Sequence, residues 1–179
     1  MKVANVFAEK LKNLFEEAGE SKVFHKGDYL LCEGQTERHL YYIETGAVRV
    51  FYLSEFEEHT IRLGYEGSFI NSLSSFFKET PSEFYIEVIR KSNIRLLSKT
   101  DFIRFRDANT EHLHQYINFL ELLVTQQNER EIDLLTVSPT QRLERVLKRS
   151  PKIFQQIPLK YIASYLRMTP ETLSRIRKS

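Results

Sequence analysis

The sequence predicts an α+β fold: an N-terminal antiparallel, jelly-roll-like β-roll, one long helix, and a small all-helical C-terminal domain. Three observations predict it. Short segments rich in β-branched and aromatic residues, separated by glycine turns, run from Val23 to about Ser98. A 4-3-4-3-4-3 spacing runs from Leu113 to Leu134. Beyond it, two serine- or threonine-proline steps open helix-patterned stretches in a strongly basic segment.

Each element follows in order. Val3, Val6, Phe7, Leu11, Leu14 and Phe15 recur at helical spacing, and Gly19 marks a stop. Leu40–Ile43, Val48–Tyr52, His59–Leu63, Tyr85–Ile89 and Ile94–Leu97 read as short strands. Gly27, Gly34 and the Thr45-Gly46 step are read as the turns between strands. Thr100 or Asp101 can cap a short helix that ends at Arg106. Asn109 or Thr110 then opens a long helix to about Thr136, so the sensor-like β-roll spans 1–108 and the long helix 109–136.

On that helix Leu113, Ile117, Leu120, Val124, Gln127, Glu131 and Leu134 form the a/d seam of a coiled coil. Leu113, Ile117, Leu120, Val124 and Leu134 are the expected dimerisation residues. Burying four such side chains contributes on the order of 6–10 kcal/mol per helix before ordering costs. The polar run Thr125–Glu131 reads as solvated helix plus an inter-subunit polar layer; the alternative is that Gln127 or Asn128 reaches an effector.

Ser138-Pro139 supplies an N-cap and an N1 proline, and Gln141 stands at the capping-box position. This is the expected boundary of a third domain, 137–179, and a natural hinge. Its helices are expected to end near Arg149, to span Leu159–Leu166, and to start at Pro170 behind Thr169 as N-cap. A domain this small is expected to dock on the long helix.

Charge separates the same parts. Residues 137–179 carry ten bases and two acids, a formal +8. The other 136 residues carry 16 bases and 22 acids, a formal −6. Such asymmetry points to an anionic partner for the basic end. No apolar run approaches the ~20 residues of a membrane helix, and no apolar leader follows Met1, so no membrane partner and a reducing cytoplasm are expected. Cys32 alone excludes an internal disulfide and a cysteine-ligated cluster; it reads as a small buried hydrophobe. His112 and His114 stand at i, i+2 on a helix and point apart, so no metal and no cofactor are expected. A cupin-type metalloenzyme, the main rival, needs histidine pairs on strands; a purely protein-binding β-roll would leave the +8 segment unexplained.

Two helices joined by a short turn, the second closing a basic domain, have the layout of a helix-turn-helix. The string Ile157-Pro158-Leu159-Lys160-Tyr161-Ile162-Ala163-Ser164-Tyr165-Leu166-Arg167-Met168-Thr169-Pro170-Glu171-Thr172-Leu173-Ser174-Arg175-Ile176 closely resembles that of the Crp/Fnr family of bacterial transcription regulators. Lys26-Gly27-Asp28, Glu33-Gly34 and Leu40–Val50 resemble the first half of that family's cyclic-nucleotide-binding-type β-roll. The resemblance implies a homodimer on double-stranded DNA, with RNA polymerase and a small-molecule effector of unknown identity as further candidate partners. It implies that Glu171, Ser174 and Arg175 read bases. Thr169, Thr172, Lys160, Arg167, Arg177 and Lys178 are placed for phosphates, which give affinity without sequence information. Arg167 stands where the family has glycine, at a position that favours positive φ. Cyclic-AMP binders of the family carry a glutamate at the start of a short helix and an arginine after it; here Ser68 and Ser82 are matched to them, with Glu83 alongside. Cyclic AMP is therefore not the expected effector.

Overall fold

A computed structural model describes residues 6–178; Val3 and Ser179 lie outside them. Helix α1 (Val6–Ala18) buries Phe7, Leu11 and Phe15, one side chain per turn, and stops before Gly19. Strands β1 (Glu20–Phe24), β2 (Tyr29–Leu31), β3 (His39–Leu53), β4 (Glu58–Tyr65), β5 (Phe69–Ile70) and β6 (Tyr85–Ser98) form one antiparallel sheet in the order β1-β6-β3-β4. β2 also pairs with β6 and β5 with β3. Helix α2 (Leu73–Lys78) interrupts the sheet between β5 and β6. This is the antiparallel roll of the predicted α+β class.

Four of the expected strands fuse into two. Leu40–Ile43 and Val48–Tyr52 are parts of the 15-residue β3, and Tyr85–Ile89 and Ile94–Leu97 are parts of the 14-residue β6. Thr45-Gly46 is a bulge, not a turn: the β3–β6 register shifts between Ile43 and Val48 while pairing continues. A positive-φ glycine serves either purpose, and Gly46 has φ +93°. Ser92 presses against it, its Oγ accepting from Ala47 N at 3.0 Å. A Cβ on Gly46 would stand 2.1 Å from Ser92 Oγ and 2.6 Å from Lys91 O. Gly46→Ala should therefore destabilise by about 2–4 kcal/mol, combining unfavourable φ with overpacking. Thermal denaturation checks this; a loss within ~0.5 kcal/mol would show that the bulge relaxes freely.

The roll's interior is packed with Leu31, Tyr41, Ile43, Val48, Val50, Ile70, Ile86, Val88 and Ile94. A second core lies outside the sheet, where α1, α2, α3 (Lys99–Arg106) and α4 (Thr110–Leu135) meet Leu40 and Leu97. There Phe7 lies 5.4–5.7 Å from the rings of Phe105, Tyr116 and Phe119. With cores on both faces, β3 and β6 carry apolar runs and not a clean alternation.

Ser98, not Thr100 or Asp101, caps α3: its Oγ accepts from Asp101 N at 3.1 Å, and Asp101 returns the contact as an acceptor at 2.6 Å. The acidic residue had the right chemistry but occupies the third helical position. Asn109 caps α4, accepting from His112 N at 2.8 Å.

The C-terminal segment folds as α5 (Pro139–Arg149), α6 (Ile153–Gln156), α7 (Leu159–Tyr165) and α8 (Pro170–Lys178). The short α6 was absent from the expected set. Ser138 Oγ accepts from Gln141 N at 3.4 Å. Leu143, Val146, Ile157, Ile162, Ala163, Leu166 and Leu173 make its core, but Ala47 and Ile89 of the roll belong to the same cluster, with Leu63 and Tyr65 against it. The segment thus docks on the roll as well as on the long helix. Ser164 Oγ accepts from Thr60 N at 3.2 Å, and the Arg49 guanidinium lies 4.8 Å from the Tyr161 ring.

Candidate nucleic-acid interface

The turn between α7 and α8 is built by a Schellman motif. Met168 N donates to Ala163 O and Arg167 N to Ser164 O, both at 3.1 Å. Arg167 occupies the left-handed position with φ +54°, the conformation that glycine would adopt without strain. Its side chain turns to the roll, where Nη1 meets His59 Nδ1 at 2.5 Å. A guanidinium only donates, so Nδ1 accepts and Nε2 carries the proton towards Ser54 Oγ, 2.9 Å away.

Thr169 then caps α8, its Oγ1 accepting from Thr172 N at 3.2 Å. The first-turn Glu171 carboxyl is held below the usual carboxylate range, chiefly by its own backbone N–H and then by the Thr169 hydroxyl. It is therefore an anion, an acceptor only. Leu173 is fully buried and Ile176 packs on the same core. Two residues either side of Leu173, and so on the opposite face, Glu171 and Arg175 are exposed; Ser174 is half-buried. These three, with Pro170 and Lys178, line one shallow open concavity.

The other predicted residues are dispersed around that patch. Lys160 is exposed, with Nζ 4.5 Å from the Tyr161 ring centroid. The Arg177 guanidinium lies 5.3 Å from the Phe154 ring. Thr172 is half-buried beside Thr169. Arg167 faces β4.

On α4, the face carrying Tyr116, Arg130 and Asp133 is buried. Of the seam, Leu120 packs on the outer core of the roll. Val124 is 60 % exposed, and Leu113, Ile117 and Leu134 are 41–45 % exposed. The polar run and Asp133 just beyond it have a further role that the sequence concealed. Asp133, fully buried, accepts from Arg145 Nε at 2.8 Å and from the Arg149 guanidinium. Glu129 accepts from Arg145 at 2.6 Å and Arg149 at 3.3 Å. Arg130 donates to Tyr165 O and stacks 3.7 Å over its ring. Two of the ten C-terminal bases are thus engaged with α4 acids, and the Ser138-Pro139 hinge is strapped across. No signal within a few residues could have disclosed this, because the partners lie 12–20 positions apart.

At the segment matched to a cyclic-nucleotide site, Ser72, not Ser68, begins the short helix: it is the residue preceding α2. Ser68 instead accepts from Tyr65 N within a turn. Ser72 and Ser82 are both buried, and Ser82 Oγ donates to Ser72 Oγ at 2.9 Å. Glu37, buried beneath them, accepts from Tyr41 OH at 3.1 Å; burial pushes its carboxyl up, against its hydrogen bonds. Cys32 is half-buried in a turn, more open than expected. His112 Nδ1 meets Phe105 O at 2.8 Å, a structural contact.

Residues 21–109 match the cyclic nucleotide-binding domain family. No curated protein sequence matches the chain. Among solved structures, FixK2 from Bradyrhizobium japonicum is similar at 17 % identity and TM-score 0.76, covering 90 % of this chain and 83 % of its own. A CooA variant from Carboxydothermus hydrogenoformans is similar at 15 % and 0.68, over 93 % and 77 %. The catabolite activator protein of Thermus thermophilus is similar at 18 % and 0.57, over 95 % and 81 %.

Proposed function

From a chain whose residues 21–109 match the cyclic nucleotide-binding domain family and about nine-tenths of which shares the fold of Crp/Fnr regulators, we propose a DNA-binding transcription regulator that acts as a homodimer. One observation carries the reading: α8 buries Leu173 and turns Glu171, Ser174, Arg175 and Lys178 outward together. A helix with that face can enter the major groove, the carboxylate accepting from cytosine N4 and the guanidinium donating to guanine O6 and N7. Lys160, Thr169, Thr172, Arg177 and Lys178 serve the phosphates; Arg167 joins them on exchanging its His59 contact. The apolar seam of α4 supplies the two-fold partner, and its Leu113, Ile117, Val124 and Leu134 are available on one subunit. An activating role would bring RNA polymerase as a third partner. The domains proposed are 1–108 for sensing, 109–136 for dimerisation and 137–179 for DNA.

Binding-site selection from a random duplex library tests this. It should return an inverted repeat with half-sites about 10 bp apart, bound with affinity that falls steeply with salt. Sequence-independent, salt-independent binding would overturn it.

Cyclic AMP is not the effector in this reading. With serines at 72 and 82, neither the ribose hydroxyl nor the cyclic phosphate finds a charged partner, and such charge-assisted contacts are the strong ones. Calorimetric titration with cyclic AMP is expected to show no micromolar binding; a micromolar isotherm would refute this.

A further inference from the structure

A crevice where α1, α2 and α4 meet holds a cavity of about 30 Å³. Leu11, Leu40, Phe76, Phe102 and Leu120 are among its walls, and no charged side chain lines it. Two lining residues are polar. The Tyr116 oxygen accepts from Arg106, whose guanidinium lies 5.7 Å from its ring centroid. Asn71 is 8 % exposed, and its Nδ2 has no hydrogen-bond partner among the described residues. Buried amide donors are paired in the great majority of cases, and leaving one unpaired carries the full desolvation cost of the group. A bound water needs two to four polar partners, and Asn71 Nδ2 is the one buried side-chain atom on this wall left without a partner among the described residues. A carbonyl oxygen needs no more than that donor.

The surroundings define the rest of the ligand. Asn71 sits between β5 and the start of α2, so backbone on both sides holds it in place. Leu73 and Phe77 line the crevice from α2 yet are 40 % and 39 % exposed, and the half-buried Leu123 lines it from α4. They continue the apolar surface out of the cavity. A charged ligand would lose its hydration here without a counter-ion. We propose that this crevice binds a small, uncharged, largely hydrocarbon molecule bearing one carbonyl-type acceptor. The acceptor takes the Asn71 Nδ2 hydrogen, and the hydrocarbon lies against Leu73, Phe77 and Leu123. The site is separate from the Ser72–Ser82 pair. Leu120, which lines it, also belongs to the α4 seam, so occupancy bears on how two subunits meet. That consequence rests on the proposed regulator function; occupancy itself does not, and is measured without DNA.

The test uses acetophenone and α-methylstyrene, two probes of the same shape that differ in C=O against C=CH2. Both are titrated into the full-length ¹⁵N-labelled chain. Acetophenone should move the Asn71 side-chain amide resonances and bind about tenfold tighter than α-methylstyrene, the worth of one buried hydrogen bond. Asn71→Leu should abolish that preference without lowering the melting temperature. Leu123→Trp, altering a half-buried position on α4, should block both probes and serves if the first variant misfolds. Equal binding of the two probes to the parent chain, a preference that survives Asn71→Leu, shifts confined to other regions, or no binding by either probe would overturn the assignment.

Discussion

Arg175→Ala should lower affinity for the selected operator by about 10- to 100-fold while changing affinity for random duplex far less, since one bidentate arginine–guanine contact is worth about 1–3 kcal/mol of discrimination. The reason lies in the packing of α8. Leu173 is fully buried, so the helix cannot rotate to offer another face without exposing its own anchor. Arg175 is exposed on the turn after Glu171 and lines the same concavity as Ser174 and Lys178. Truncation at Cβ removes the guanidinium without touching that anchor, so α8 should stay folded on its core. Arg177→Ala is the contrasting control. It should weaken binding to all sequences alike and reduce the salt slope by about one. Fluorescence anisotropy on the operator, on operators altered at single base pairs and on random duplex separates the two. Unchanged discrimination in Arg175→Ala would show that α8 does not read the bases.

Asp133→Ala should destabilise the chain by about 2–3 kcal/mol, below the ~3–5 expected on breaking a fully buried ion pair. Asp133 has no exposed side-chain surface, and its carboxylate receives both Arg145 and Arg149. Both arginines keep about a third of their side chains in contact with water, so solvent takes up part of the lost interaction. For a chain of this size the melting temperature should fall by roughly 5–10 °C. Glu129→Ala removes a more exposed acceptor of the same arginines and should change stability by no more than about 1 kcal/mol. Circular-dichroism melts of the two variants compare them; equal, small effects would mean the buried strap contributes nothing. The strap also spans the Ser138-Pro139 step, so its loss should loosen α5 on α4 and weaken operator binding of a folded dimer.

Most helix starts set by a side chain that caps its own backbone three residues on were legible, Ser98 being the exception that Thr100 and Asp101 obscured. Asn109, Ser138 and Thr169 were found this way, and each accepts from the N–H three positions on. The positive φ at Arg167 was legible too, because the turn's backbone demands it irrespective of the side chain. Where two local candidates had similar chemistry, the sequence misled. Thr45-Gly46 satisfies a turn or a bulge equally, and only pairing along β6 distinguishes them. Ser68 and Ser72 both follow Gly67, and only the position of α2 shows which of them begins the helix.

Local signals sufficed for the α+β class, the longer helices and most of their ends, and the outward face of α8, because caps, periodicity and side-chain phase act over a few residues. Folding in three dimensions was required for the fusion of the strands, the docking of the C-terminal helices on β4, the Asp133–Arg145–Arg149 strap and the Asn71 crevice. Each of those joins groups whose separation along the chain leaves no periodic trace, and whose energy arises only when burial removes water from both partners at once.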